Sequence, residues 1–207
     1  MEVERIDESL WRWTGFHEEW KQQVGCVYAE GPDAVLLIDP LIPPEDEARF
    51  LEALDRDVER LGLPVHVLVT VFWHTRSARA LAERYGAEIW APSRARAAVV
   101  RRAGPARAFR PGEALPGGAE AFSTARSNEV VFYLPRWKTV VAGDVILGAE
   151  DRGLRLCPDS WLPQGVDQER LRASLQPLLD LAVDNVIVSH GESVLGSGGR
   201  ALADLLG

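Results

Sequence analysis

The chain has 207 residues, of which 46% are hydrophobic and 26% are charged, a mixture typical of a globular protein. Its 31 acidic residues outnumber 23 lysines and arginines, and the resulting net charge of −8 argues against a protein that binds nucleic acid or an anionic membrane. No segment approaches the roughly 20 continuous apolar residues of a membrane span, and the charged start MEVERIDESL lacks the apolar core of a signal peptide, so we expect a cytoplasmic protein.

The first third of the chain begins with a pattern typical of a β-hairpin. Two short apolar runs, Val24–Ala29 and Ala34–Ile38, flank the turn sequence Glu-Gly-Pro-Asp. Helical spacing of apolar residues then predicts a helix over Glu45–Leu61, which ends at Gly62. The run Val65–Trp73 is rich in β-branched residues and has the composition of a buried strand.

Short strands and helices alternate through the rest of the chain. Predicted helices cover Ala78–Tyr85, a segment capped by Ser93, a segment from Asp167 to about Ala182, and the carboxy terminus. Predicted strands are Ile89–Ala91, Glu120–Ser123, Glu129–Leu134, Thr139–Ala142 and Val186–Ser189. This alternation predicts one mixed α/β domain over residues 1–207, with two β-sheets covered by helices.

Three polar residues follow directly after apolar strands, namely His74, Asp144 and His190. In layered α/β folds, ligands gather at the carboxyl ends of strands, where polar loops do not disrupt the core. Two imidazoles and one carboxylate suit a divalent metal such as zinc, which accepts nitrogen and oxygen ligands at about 2.0–2.2 Å. A single histidine at a strand end is commonly a structural residue, so the metal hypothesis depends on all three residues converging.

The order of several short motifs resembles that of the metallo-β-lactamase superfamily. The motifs are Val35–Asp39 (VLLID), the strand leading into His74, Glu129–Pro135 (EVVFYLP), Ala142–Asp144 (AGD) and Val188–Gly191 (VSHG). In this order they extend over nearly the whole chain. The resemblance implies an α/β fold of the αββα type, a sandwich of two mixed β-sheets flanked by helices, and a family chemistry of metal-dependent hydrolysis.

The loop that carries most metal ligands in this superfamily departs from the family pattern. Family members have H-x-H-x-D-H there, four ligands that serve two metal ions. This chain keeps only the first histidine, His74, and has Arg76, Ala78 and Arg79 at the other three positions. A guanidinium group has no lone pair to donate and keeps its positive charge, so each arginine disfavours a nearby cation.

Two further ligand positions of the family are retained. By resemblance, Asp144 corresponds to the bridging aspartate and His190 to the last histidine. Another family histidine should fall near Ala125 or Arg126, and neither residue binds metals. Three of the seven expected ligands are therefore present, and the family divides these three between its two metal positions.

The first functional hypothesis is a pseudo-enzyme without a metal cofactor. A salt bridge from Arg76 or Arg79 to Asp144 would place a guanidinium group where a metal lies in the superfamily. Such a site would bind a small anionic molecule, because arginine holds carboxylate or phosphate through a bidentate fork, or it would bind a protein partner. Nine arginines against two glutamates between residues 74 and 110 would add a positive potential.

The alternative hypothesis is a mononuclear metal-dependent hydrolase of ester, thioester, lactone or phosphoester bonds. Here His74, Asp144 and His190 would hold one zinc, iron or manganese ion and leave one coordination position open. His17 would add a ligand if the loop after the first strand folded over the site. A third hypothesis is a homodimerisation module that uses the tryptophan-rich amino-terminal strand.

Overall fold

Two β-sheets pack face to face, with helices on their outer surfaces, in the computed structural model, which describes residues 1–150 and 153–207. The seven-stranded sheet follows chain order: β1 (Glu2–Asp7), β2 (Leu10–His17), β3 (Gln22–Glu30), β4 (Val35–Ile38), β5 (Val65–Leu68), β6 (Glu88–Pro92) and β7 (Ala106–Phe109). Strands β1 to β4 pair antiparallel, and β4 to β7 pair parallel. Its outer face packs against α1 (Glu47–Leu61), α2 (Ala78–Tyr85) and α3 (Arg96–Ala103).

The second sheet comes from the later part of the chain. Its four strands are β8 (Glu120–Ser123), β9 (Val130–Leu134), β10 (Thr139–Ala142) and β13 (Asn185–Val188). A separate hairpin of β11 (Ile146–Gly148) and β12 (Leu154–Leu156) lies between β10 and β13 in the chain. The four-stranded order is β13-β10-β9-β8, with β10 and β13 parallel. Helices α4 (Gln168–Leu175) and α5 (Gly198–Leu206) cover its outer face.

Buried apolar side chains from both sheets form the central layer of the sandwich. Leu36 and Leu68 of the first sheet share one cluster with Phe132, Leu134 and Ile187 of the second. All five are fully or almost fully buried, and burial of apolar area at about 25 cal/mol per Å² is what holds the layers together. The predicted fold class, a mixed α/β sandwich of two sheets flanked by helices, is thus confirmed.

Parallel pairing brings the functional loops to one edge of the sandwich. Strands β4 and β5 end together in the first sheet, as do β10 and β13 in the second. The two sheets meet at that edge, where the backbone N–H of Gly25 donates to the carbonyl of Ser189 at 2.7 Å. A Cβ at Gly25 would lie 2.5 Å from the carbonyl oxygen of Val188, so only glycine allows this approach.

Several predicted boundaries are wrong. The strand predicted over Val65–Trp73 ends at Leu68, because the chain turns away and forms a 3₁₀ turn over Phe72–Thr75. Ser93 does not cap α3, which begins at Arg96. The helix capped by Asp167 ends at Leu175, where a 3₁₀ turn containing a proline follows. Among the described residues, no helix combines the length and apolarity needed to cross a bilayer.

Candidate functional site

The three residues expected at the strand ends lie together at the shared edge of the two sheets. His74 lies in the 3₁₀ turn after β5, Asp144 follows β10, and His190 follows β13. Oδ1 of Asp144 is 3.1 Å from Nε2 of His74 and 3.2 Å from Nε2 of His190. They are the one group of three metal-ligating side chains in the described part of the chain whose ligand atoms lie within 4.8 Å of one another.

The close contact between His74 and Asp144 lacks the alignment of a good hydrogen bond. Nε2 of His74 and Oδ1 of Asp144 are both buried and have no hydrogen-bond partner. Their separation is close to the distance of about 3.3 Å between two ligands of a tetrahedral metal with bonds of about 2.0 Å. Because buried polar atoms are normally satisfied, the donor set of two imidazoles and one carboxylate fits a single divalent cation.

Asp39 fixes the orientation and tautomer of His74. Its Oδ2 lies 2.9 Å from Nδ1 of His74 and accepts the hydroxyl of Thr70 at 2.5 Å, while its Oδ1 accepts the backbone N–H of Thr70 at 2.8 Å. Because a carboxylate only accepts, Nδ1 carries a proton, and in the neutral imidazole the lone pair of Nε2 then faces Asp144. Burial and Arg76 lower the pKa of His74, but the nearby Asp39 and Asp144 carboxylates outweigh them and raise it.

A second group of side chains, partly or fully buried, holds Asp144. The indole N–H of Trp73 donates to its Oδ2 at 2.7 Å, and Oε1 of Glu129 accepts the backbone N–H of Asp144 at 2.6 Å and that of Val145 at 2.9 Å. Arg126 forms a buried ion pair with Glu129 at 3.0 Å. Burial raises the pKa of Asp144, but the opposing effect of His74 and His190 is larger, so the pKa is lowered overall. Burial and then the charge of Asp144 raise the pKa of Glu129.

Arg76 does not form the expected salt bridge with Asp144. Its Nη1 donates to the carbonyl oxygens of Gly25 at 3.0 Å and Asp39 at 2.8 Å, and its Nη2 donates to Oγ of Ser189 at 2.5 Å. The backbone of Arg76 has a positive φ of 35°, which directs the side chain towards the junction of the two sheets. Arg76 therefore links the sheets instead of filling a metal position.

Arg79 also lies away from Asp144, so this part of the prediction is wrong. It is the second residue of α2, and its exposed Nε donates to Glu83 at 2.9 Å, one helical turn later. The helix begins at Ala78, shortly after the 3₁₀ turn over Phe72–Thr75, and Arg79 lies on its solvent side. Among the described residues, no arginine is paired with Asp144.

Aromatic rings surround the exposed side of the triad. The ring centroid of Trp20, in the turn between β2 and β3, is 5.8 Å from that of His74 and 6.2 Å from that of His190. His17 stacks on Trp20 at 3.9 Å, and its Nδ1 accepts the backbone N–H of Trp20, so this loop folds over the site without adding His17 to the ligand set. The ring centroid of Trp161 lies 6.4 Å from that of His190.

The sequence patterns alone assign no role to four residues around the triad, namely Asp39, Trp73, Glu129 and Arg126. Asp39 stands inside a motif used for the family resemblance, and Glu129 is one charge directly before a run of five buried residues. Both are signals of a specific buried role, because an isolated charge beside a core strand needs a partner.

No family model matches the sequence, and no curated protein matches it. Solved metallo-β-lactamases do match the structure. The DIM-1 metallo-β-lactamase has a TM-score of 0.72 at 15% identity over 99% of this chain and 96% of its own. The metallo-β-lactamase from Pontibacter korlensis has a TM-score of 0.69 at 16% identity, over 99% of this chain and 96% of its own. The metallo-β-lactamase FIM-1 from Pseudomonas aeruginosa, solved in a mono-zinc form, has a TM-score of 0.70 at 14% identity, over 99% of this chain and 94% of its own. The chain therefore has the metallo-β-lactamase fold.

Proposed function

We propose that this protein is a hydrolase that uses a single divalent metal ion held by His74, Asp144 and His190. The observation that carries the proposal is the pair of buried ligand atoms, Nε2 of His74 and Oδ1 of Asp144, that lie 3.1 Å apart with no hydrogen bond. An unmetallated site would leave two lone pairs facing each other, or would need a poorly aligned proton between them. A solved protein of the same fold carries one zinc, which is consistent with this stoichiometry.

The bound ion would supply Lewis acidity and lower the pKa of water to about 7, which suits hydrolysis of ester, thioester, lactone or phosphoester bonds. Each residue of this chain then has a defined task. Asp39 keeps the proton of His74 on Nδ1, so that Nε2 can act as a ligand. Trp20 lies over the triad and restricts access of bulk water, which strengthens electrostatic interactions inside the site.

The chain offers no ligand set for a second ion within its described residues. The loop positions after His74 carry Arg76, Ala78 and Arg79, and the first of these places its charge beside the triad. Arg126, near the position of a further family ligand, is committed to Glu129. A dinuclear site would therefore lack donors and would meet a permanent positive charge.

A second candidate function is the binding of a small anion by a metal-free pseudo-enzyme. Arg76 favours it, because its Nε is buried without a hydrogen-bond partner and its guanidinium lies 5.6 Å from the ring of Trp20, beside the triad. A carboxylate or phosphate bound near Trp20 would interact with this guanidinium group. Arg79 would have no part in such binding, because it is exposed and paired with Glu83.

Metal content of the purified, tag-free protein separates the two functions. Plasma mass spectrometry should find about one equivalent of zinc, iron or manganese in the wild type and none in Asp144→Ala. The matched control is Asp184→Ala, which removes an exposed aspartate paired with Lys138 and should keep the metal. Wild-type protein that stays metal-free after incubation with each of the three ions would contradict the hydrolase and support anion binding.

Activity forms the second arm of this experiment. The metal-loaded protein should hydrolyse at least one member of a panel of aryl esters, thioesters, lactones and phosphodiesters, and chelation or Asp144→Ala should abolish that hydrolysis. A metal-loaded protein that is inert on every class would contradict the proposed reaction while leaving the metal site intact.

A further inference from the structure

The two oxygens of Asp144 have different surroundings. Oδ1 faces the ring nitrogens of His74 and His190 and has no hydrogen-bond partner. Oδ2 accepts the indole N–H of Trp73 at 2.7 Å, a short distance for a hydrogen bond from a neutral nitrogen. The carboxylate group therefore presents one free oxygen to the centre of the triad, and its other oxygen is already engaged.

The indole that makes this bond has two further contacts. The guanidinium of Arg126 lies 4.9 Å from the centroid of the Trp73 ring, and the ring of Phe72 packs against it edge-on at 4.6 Å. Arg126 is buried and is kept in place by its ion pair with the fully buried Glu129. A cation above an indole face is a favourable contact that gains strength where water is excluded.

Glu129 closes the arrangement around Asp144. Its Oε1 accepts the backbone N–H groups of Asp144 and Val145, so the carboxylate that anchors Arg126 also anchors the backbone of the ligand. A Cβ at Gly143 would lie 2.9 Å from Oε1 of Glu129, which shows how closely the backbone approaches this group. The backbone and the side chain of Asp144 are thus fixed by one connected set of groups, of which Arg126 and Glu129 are buried.

We infer that Trp73 is a positioning residue that makes Asp144 a ligand through Oδ1 alone, with the Arg126–Glu129 pair fixing both. This inference rests on the proposed single-metal function. Oδ2 has one of its two lone pairs engaged by the 2.7 Å hydrogen bond from Trp73, so it is a poorer donor than Oδ1 for chelating the same ion or bridging to a second one. The indole suits this task because it is rigid, neutral and only a donor, so it orients the carboxylate without competing for the metal.

The test is a Co²⁺ titration of the metal-free full-length protein. Trp73→Phe keeps an aromatic ring but removes the N–H, so Oδ2 becomes free. We expect the wild type to bind one equivalent of Co²⁺. The dissociation constant of the variant should be 10- to 100-fold larger, the usual effect of removing a hydrogen bond to a metal ligand. The visible Co²⁺ bands should also weaken, because a carboxylate that binds through both oxygens raises the coordination number.

The matched control is Trp137→Phe. Trp137 is buried, whereas Trp73 is partly buried, and it also donates its indole N–H, to Oγ of Ser9 at 2.9 Å, in the turn between β9 and β10. This variant should bind Co²⁺ with the wild-type affinity and spectrum. Glu129→Gln retains an acceptor for the two backbone N–H groups but removes the charge that holds Arg126, and we expect a smaller loss of affinity than in Trp73→Phe.

The outcomes distinguish the inference from the function on which it rests. If the wild type binds one Co²⁺ and Trp73→Phe shows the same affinity within threefold and the same spectrum, the positioning role is wrong and the single-metal site stands. If the wild type binds no Co²⁺, the proposed function itself fails.

A readout in the metal-free protein covers the case in which Trp73→Phe does not fold. The indole N–H signal of Trp73 in a ¹⁵N-labelled protein should shift upfield in Asp144→Asn, because hydrogen bonds to a charged acceptor are the stronger ones. It should not move in Asp184→Asn, and an unchanged signal in Asp144→Asn would overturn the inference.

Discussion

Replacing Asp39 by asparagine tests how the protein sets the tautomer of its buried histidine. The carboxylate accepts three hydrogen bonds, two from Thr70 and one from His74, and it has no proton to give. An asparagine keeps the shape and tolerates the positive φ of 50° at this position. Its amide group, however, places an NH₂ where one carboxylate oxygen was, and the neighbours of that position must respond.

The two orientations of the amide have different consequences. With NH₂ at the Oδ1 position, two donors face each other, because the backbone N–H of Thr70 points there. With NH₂ at the Oδ2 position, Nδ1 of His74 becomes an acceptor and its proton moves to Nε2, the ligand atom. The second orientation gives Nδ1 of His74 a hydrogen-bond donor in the metal-free protein. Metal binding at Nε2 would therefore have to return the proton of His74 to Nδ1. An unmatched buried donor costs about 1–3 kcal/mol, which predicts a 10- to 100-fold loss of metal affinity.

Thermal unfolding with added zinc measures this loss. At a zinc concentration of about 100 times the wild-type dissociation constant, ligand linkage stabilises the wild type by about 2.7 kcal/mol, or about 5–10 °C for a chain of this size. A tenfold weaker variant would gain about 1.4 kcal/mol and a hundredfold weaker one about 0.4 kcal/mol.

The control for this measurement is Asp33→Asn, at the opposite end of β4. Oδ1 of Asp33 accepts the backbone N–H of Gly117 at 3.0 Å, and an asparagine oxygen can accept the same bond, so its zinc-induced shift should equal that of the wild type. A wild-type shift in Asp39→Asn would refute the argument that the carboxylate holds Nε2 of His74 unprotonated.

Three further predictions concern stability. Arg76→Ala removes three donors to acceptors on both sheets and should lower the free energy of unfolding in urea by about 2–4 kcal/mol; a loss below about 1 kcal/mol would show that Arg76 does not link the sheets. Gly25→Ala would place a Cβ 2.5 Å from the carbonyl oxygen of Val188, so its melting temperature should fall by several degrees, and an unchanged value would contradict the close approach of the sheets. Hydrogen bonds from Arg84 and then a tyrosine hydroxyl lower the pKa of Asp55 to about 2, so the stabilisation from this carboxylate is present above about pH 4 and is lost as the pH falls through 2. Asp55→Asn should therefore lower the free energy of unfolding at pH 6 by less than about 1 kcal/mol, because the pair is part-exposed, and should approach the wild type below pH 2. An equal difference from the wild type at both pH values would exclude this ionisation as the cause.

The order of strands and the positions of the three triad residues could be predicted because both depend on local patterns. Apolar runs define the strands, and a polar residue directly after each run is carried to the shared edge by parallel pairing. The groups that hold the triad could not be predicted in the same way. Trp73 and Asp144 are 71 positions apart, and only the packing of one sheet on the other brings the indole to the carboxylate.

The error over Arg79 has a local cause that the sequence contains. Glu83 follows Arg79 by four residues inside a predicted helix, a spacing at which opposite charges meet on an exposed face. Arg76 has no such neighbour, and its direction depends on a turn with positive φ that no residue preference announces. An arginine in a ligand loop therefore predicts a charge near the site, but not the group that this charge contacts.

The charges around Asp144 explain why the proposed site takes one ion. Arg126 and Glu129 form a buried pair whose charges offset each other, and Arg76 offsets one of the two remaining carboxylates, Asp39 and Asp144. One dication then meets a surplus of one negative charge, whereas a second would leave a large excess of positive charge in a region that is shielded from water, where Coulomb repulsion is strong. Replacing Arg76 by a neutral residue should therefore strengthen binding of the first ion, and weaker binding would show that the sheet-linking role of Arg76 outweighs its charge.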